Sequence, residues 1–395
     1  MMKEASNERI RLLDILRGFA IMGTLGTNIW LFAHLGNVDY LFTYAHNHWW
    51  ASADVFIRYL VLFLVNGKLL GLLTILFGAG LELQYSRSLA RKKRWPGPYL
   101  LTALFLLLEG LLHYTLVLEY DILMSYALTA VIVAWVVKRG DRAVKRTMWI
   151  TGIFHGMLIL LLFASSLGLY LSGESMPMNH ALGTEALYGS GTWLEQMAFR
   201  LANFGFFRTE AVFVLPLNIF LFLTGVRLMR AGAFHPDERG REIRRRMLKL
   251  GLGAGIPLNL LLFVPGGVFD FPLRYLFAPV MAVGYIALLA LLTERFSRWP
   301  IWPMLERTGK MALSCYVLQN ALASVIFYGW GLGLGGETSS LMTAVIWLLI
   351  CLTLVLFSGI WLRLFKQGPL EAARKTMTRR LSARERKHAS QTISG

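Results

Sequence analysis

Charge is scarce in this chain. Only 16% of its 395 residues are Asp, Glu, Lys or Arg, where a soluble domain carries about 25%. Acidic residues are the scarcer, 23 against 40 Lys and Arg, for a formal net charge of +17. In a soluble protein that excess indicates nucleic acid. Here there is no separate basic domain, and the Lys and Arg stand in short loops between apolar blocks. Nucleic acid is therefore set aside as a partner, and orientation in a bilayer accounts for the charge. Contact of the same loops with anionic lipid headgroups follows. Cysteine is nearly absent: Cys315 and Cys351 both lie inside apolar segments, so they read as packing residues rather than a disulfide or metal site. Soluble-enzyme signatures are missing as well. There is no Gly-rich phosphate loop after a strand, no H-E-x-x-H and no G-x-S-x-G.

What the chain has in quantity is apolar residues, 56% of the total. They gather in blocks of about 20, enough to cross a hydrocarbon layer roughly 30 Å thick. The blocks predict an all-α fold, a polytopic membrane bundle of about ten transmembrane helices. They fall near 12–34, 69–81 (within 55–83), 99–117, 121–137, 148–171, 211–228, 247–264, 273–292, 311–328 and 341–364. The piece 55–65 reads as a separate interfacial or re-entrant segment, because 55–83 is long for one crossing. The first block carries Asp14 and Arg17 near its start, with no small-x-small cleavage site after it, and is expected to remain as helix 1. One bundle domain is expected over 1–365, with an N-terminal half 1–171 and a C-terminal half 205–365 joined by an external loop 172–204. Residues 366–395 read as a basic cytoplasmic tail with a surface helix. Leu76-Phe77-Gly78-Ala79-Gly80 echoes Leu223-Thr224-Gly225, and glycine packing between helices is the preferred reading.

The loops test the count. Those after helices 2, 4, 6, 8 and 10 are basic: Arg87 to Arg94, Lys138 to Arg146, Arg227 to Lys249, Arg295 to Lys310, and the tail from Arg363. The intervening loops hold almost no Lys or Arg; the longest, 172–210, has only Arg200 and Arg208 against four Glu. By the positive-inside rule both chain ends are expected in the cytoplasm, and the even-numbered helices are expected to end there.

Ionisable groups inside membrane segments usually have a purpose. Asp14 and Arg17 are three apart, on one helical face, and are expected to pair. They are either a snorkelling ion pair or an anion site for cofactor phosphates. Glu109 and His113 are four apart and face the same way, with Asp121 just beyond. A His oriented by a carboxylate suits a general base. The loop 35–53 and its flank hold His46, His48 and Asp54 beside Trp49 and Trp50. His-x-His spacing is a thin ligand set, so no metal is expected, and these residues are assigned with Lys68 to acceptor binding. His155, Gln319 and Asn320 read as polar contacts between helices.

Several runs carry a resemblance. Leu13-Asp14-Ile15-Leu16-Arg17-Gly18-Phe19-Ala20 with Asn28, the Leu76–Gly80 run, Gly110-Leu111-Leu112-His113 with Asp121-Ile122-Leu123, Gly309-Lys310-Met311-Ala312-Leu313-Ser314 with Tyr316 and Gln319, and Gly368-Pro369-Leu370-Glu371 together resemble the YeiB family of bacterial membrane proteins. The chain departs from that pattern at Lys310, Ser314, Cys315, Ala372 and Ala373, as a divergent member would. The family is similar to transmembrane acyltransferases that include heparan-alpha-glucosaminide N-acetyltransferase. That resemblance implies acyl-CoA as a cytoplasmic donor near Arg17 and Asp14, an extracytoplasmic acceptor, and His113 with Glu109 or Asp121 at the reaction centre. A secondary transporter using the same charges as a substrate or proton path is the alternative, and a homodimer is compatible with either.

Overall fold

A computed structural model describes residues 10–44, 48–174 and 183–378. His46 and the end of the tail, 379–395, lie outside them. Among the described residues the structure is helical, without a strand. The helices are α1 (Arg11–Ala33), α2 (Ala53–Val65), α3 (Lys68–Ala90), α4 (Gly97–Leu116), α5 (Leu123–Lys138), α6 (Asp141–Leu171), α7 (Thr184–Ser190), α8 (Trp193–Ala202), α9 (Phe204–Phe207), α10 (Ala211–Ala231), α11 (Glu238–Gly253), α12 (Gly255–Leu260), α13 (Asp270–Pro272), α14 (Ala278–Arg295), α15 (Ile301–Lys310), α16 (Ala312–Phe327) and α17 (Ser340–Leu364).

Eight helical runs are long and apolar enough to cross a membrane, and the bent pair α15–α16 makes a ninth. The protein is a multi-pass membrane protein. Each of the ten expected apolar blocks is helical. The fourth, α5, has 16 residues and is roughly 24 Å long. That is short for a bilayer, and α5 is accordingly an inner helix, with most of its side chains buried. In contrast, α6 and α17 are mostly exposed apolar surface, as lipid-facing helices must be.

The sequence reading differs from the structure in four places. The segment 55–65 forms α2, separated from α3 only by Asn66 and Gly67, and the two make one apolar run of 38 residues. The basic stretch 238–246 is the start of α11, capped by the Asp237 side chain on Gly240 N. Residues 301–310, taken as loop, form α15, whose apolar face buries Trp302 and Leu305 and whose polar face carries Arg307 and Lys310. In the loop between α6 and α10, α8 starts at a capping box in which Thr192 and Glu195 bond reciprocally.

Two close crossings set the bundle. The glycine echo proves to be packing between helices: a Cβ at Gly78 of α3 would stand 1.9 Å from Phe222 O, and one at Gly225 of α10 would stand 1.9 Å from Ile75 O. Only hydrogen atoms fit between these backbones, and in lipid such contact replaces the missing hydrophobic drive. The second crossing joins α1 to α15, where a Cβ at Gly18 would lie 2.0 Å from Leu305 O and one at Gly309 would lie 1.8 Å from Asp14 O. After Gly309 the chain bends by 91° into α16.

The basic loops converge on one pole, called here the tail end. Arg11 pairs with Glu306 at 2.8 Å, Arg230 with Glu82 at 2.9 Å and with Asp141 at 3.7 Å, and Arg244 with Glu294. The tail is no free segment up to residue 378. Residues 369–378 are helical, and Glu371 accepts from Leu313 N at 2.9 Å and from the Ser314 hydroxyl at 2.5 Å, capping the start of α16. The other loops meet at the opposite pole, the loop end. There Asn37 bonds Glu185, Trp49 bonds Phe263 O, Asp270 gathers Thr43 and Tyr44, and Gly329 N donates to Tyr188 O.

His155 fits its expected structural part. Its ring nitrogens stand 2.9 Å from Phe213 O and 3.0 Å from Tyr275 O. The helix ladder is interrupted near both carbonyls, by Pro216 inside α10 and by the π-turn Leu273–Phe277.

Candidate functional site

His113 lies near the loop end of α4 and is 2% exposed. The chain turns at 117–122 and brings Asp121 back beside it, with His113 Nδ1 3.0 Å from Asp121 Oδ1. The other carboxylate oxygen, Oδ2, accepts from Met124 N at 3.0 Å, at the first turn of α5, where a negative charge is favoured. Gly110 admits this approach: a Cβ there would stand 2.8 Å from Asp121 Oδ2. A carboxylate at Nδ1 places the ring proton on that nitrogen and leaves the lone pair on Nε2.

That lone pair faces α16. Asn320 Nδ2 is 3.2 Å from His113 Nε2, and the same amide donates to Tyr316 O at 3.1 Å. Asn320 Oδ1 accepts from Asn28 of α1 at 3.3 Å, and Gln319 reaches Thr24 at 3.3 Å. The Tyr316 ring packs on the imidazole, centroids 4.9 Å apart. A polar chain, Asp121–His113–Asn320–Asn28, thus crosses the bundle interior, where unpaired polar groups are costly.

Two cavities approach this chain from opposite poles. The tail-end cavity has a volume of 880 Å³ and is lined by Arg17, Lys93, Lys310, Glu371, Arg374 and Lys375, reaching inward to Ile122, Leu123 and Tyr316. Four separate stretches of chain supply its cations. Arg17 pairs with Asp14 at 3.2 Å, as the spacing predicted. The loop-end cavity, 370 Å³, is lined by Asn28, Asp121 and Ile122, by an apolar wall, and by Arg208, Glu210 and Arg274. Ile122 belongs to both linings.

Helix α8 covers the loop end of α4. Trp193 Nε1 donates to Leu116 O at 2.9 Å and Arg200 Nε to Thr115 O at 3.0 Å. Beneath α7 and α8, Glu119 is fully buried and accepts from the Tyr188 hydroxyl at 2.8 Å. Burial pushes the Glu119 carboxyl above its usual range, against the opposing pull of Arg200.

The structure separates the other expected site residues from His113. Glu109 turns from the imidazole toward the tail helix, 4.0 Å from Arg374. Asp54 spends both oxygens on the start of α17, accepting from Ser340 N at 2.6 Å and the Ser340 hydroxyl at 2.8 Å. Lys68 is buried and donates to Leu62 O at 3.3 Å, closing the end of α2. His48 is exposed and stacks on Trp50 at 4.5 Å. His46 falls outside the described residues. No cluster of three or more metal-ligating side chains occurs among the described residues. Asn28, Asn320, Tyr316 and the cations of the tail-end cavity join the site instead; Asn320 had been read as structural.

Residues 228–380 match a family model described as a protein of unknown function, DUF418. The chain is 27% identical to YxaH of Bacillus subtilis over 93% of each chain. It is 30% identical to YeiB of Escherichia coli, over 94% of this chain and 97% of YeiB. A 39.9 kDa protein from the amylase 3' region of Bacillus acidopullulyticus is 24% identical over 95% of each chain. All three are described as uncharacterized proteins. With this identity extending over nearly its whole length, the chain belongs to the YeiB family.

Proposed function

We propose that this protein is a membrane-embedded acyltransferase of the bacterial plasma membrane. Acyl-CoA is the donor and occupies the tail-end cavity from the cytoplasm; an extracytoplasmic acceptor enters the loop-end cavity. The observation that carries this reading is that cavities from opposite poles share a wall residue, Ile122, next to Asp121, which pairs with His113. Arg17, Lys93, Lys310, Arg374 and Lys375 suit the phosphates of such a donor, and charge-assisted bonds are the strong ones. The basic loops gathered at that pole favour a cytoplasmic tail end.

In this reading His113 is the general base. Asp121 orients it and stabilises the imidazolium that forms. The acceptor hydroxyl or amine yields its proton to Nε2 and its oxygen or nitrogen bonds to the thioester carbonyl carbon. The C–S bond breaks, and the CoA thiolate leaves and collects the proton. Asn320 holds Nε2 in the structure, so its amide turns aside before the base can act. Glu109 faces Arg374 and is given no part in the step.

The test is binding of radiolabelled acetyl-CoA to purified, folded protein. Arg17→Ala should weaken it about tenfold or more, the loss of one charge-assisted bond, while His113→Ala should keep binding and lose acetyl release. Folded protein that neither binds nor hydrolyses acetyl-CoA would remove the proposal. A secondary transporter is the second reading, favoured by the same back-to-back cavities around a buried polar site. Solute flux into proteoliposomes that responds to a pH gradient, without acyl-CoA binding, would select it.

A further inference from the structure

One residue that lines the tail-end cavity, Tyr316, also touches His113. This residue stands one helical turn before Asn320 on α16 and is 1% exposed. It lines the tail-end cavity and also packs against the imidazole, with ring centroids 4.9 Å apart. Its hydroxyl is buried beside the Ile122 backbone and the Asn320 amide, without a well-formed hydrogen bond among the described residues. A buried phenol normally bonds its hydroxyl. A donor without a well-formed bond, in the wall of a cation-lined cavity and next to a base, is where acyl transfer needs one. As the carbonyl carbon becomes tetrahedral, its oxygen gains negative charge, and a fixed donor stabilises that charge.

We infer that Tyr316 is a catalytic residue whose hydroxyl donates to the carbonyl oxygen of the donor thioester. The inference rests on the acyltransferase reading. The hydroxyl keeps its proton throughout. The nucleophile's oxygen or nitrogen bonds to carbon, the C=O pair moves onto oxygen under the Tyr316 hydrogen bond, and the pair returns as the C–S bond breaks.

The experiment compares wild type with Tyr316→Phe, which keeps the ring and its contacts. Acetyl-CoA hydrolysis is followed by release of the CoA thiol, with water as the acceptor. Tyr316→Phe should lower kcat by about 10²–10³-fold and raise KM by no more than the wild-type preference for acetyl-CoA over its thioether. Competition with S-ethyl-CoA, a thioether without a carbonyl, gives the second readout. Wild type should prefer acetyl-CoA to S-ethyl-CoA, and Tyr316→Phe should bind the two alike. Wild-type kcat and an unchanged preference in a folded Tyr316→Phe protein overturn the assignment and leave the acyltransferase reading standing. Absence of acetyl-CoA binding by wild type overturns the reading itself. Loss of kcat with the preference intact also counts against the assignment, because it makes Tyr316 a packing residue for His113.

Discussion

Replacing Gly309 by Ala puts a methyl group where the backbone of α1 already lies. The new Cβ would stand 1.8 Å from Asp14 O and close to Gly18 N. Carbon–oxygen contacts between backbones settle at about 3.3 Å or more, so α1 and α15 must part by roughly 1.5 Å. Overpacking of this kind costs about 1–3 kcal/mol. The same shift carries Arg17 and Asp14 away from Lys310, and a misplacement near 1 Å can cost about 10²-fold where geometry matters. Gly156→Ala on the lipid-facing α6 is the control: its Cβ would meet nothing within 4 Å, and Ala should gain up to about 1 kcal/mol of helix propensity. The assay is thermal unfolding of detergent-purified protein, read by size-exclusion fluorescence, with acetyl-CoA binding measured in parallel. Gly309→Ala should melt below wild type and bind more weakly; Gly156→Ala should do neither. Equal melting and equal binding for the two variants would refute the close α1–α15 crossing.

Three further outcomes follow from the same contacts. Asp121→Asn removes the carboxylate that fixes the His113 tautomer and should lower the rate of acetyl-CoA hydrolysis by about 10²–10⁴-fold, with binding retained. Glu119, whose carboxyl burial raises, should tie pH to the hold of α7 and α8. Its contribution is full below the unfolded carboxyl pKa of about 4.3 and is lost as pH rises through the folded value; limited proteolysis of the α7–α8 segment should therefore slow as pH falls from 8 to 5 in wild type and respond less in Glu119→Gln. Glu371→Ala strips the cap from Leu313 N and the Ser314 hydroxyl, a loss of about 1–2 kcal/mol, and should speed trypsin cleavage at Arg374 and Lys375.

The bundle was legible because apolar length and loop charge are local properties. Helices α1 and α17 fall within a residue or two of the apolar blocks, since in lipid a single apolar run satisfies its own backbone only as a helix. Charge counting hid α15: Arg307 and Lys310 marked a loop, while Ile301, Trp302 and Leu305 carried an amphipathic helix on the same stretch. The partner of His113 was half legible. Spacing within one helix singled out Glu109, but the carboxylate that meets the ring is Asp121, returned by a turn whose geometry spacing does not encode. The cations of the tail-end cavity come from residues as far apart as Arg17 and Lys375, so only the folded chain brings them together. Asn28 and Asn320 were each singled out in the sequence, but spacing does not encode their pairing, which appears when α1 meets α16.

The most direct measurement is photo-crosslinking with an acyl-CoA whose acyl chain carries a diazirine, mapped by mass spectrometry on the protein in lipid nanodiscs. Label on Ile122, Leu123 or Tyr316, competed by acetyl-CoA and lost in Arg17→Ala, is the result predicted. Label concentrated at the loop end around Trp49 and Trp50, or unaffected by acetyl-CoA, would contradict a donor that reaches His113 from the basic pole.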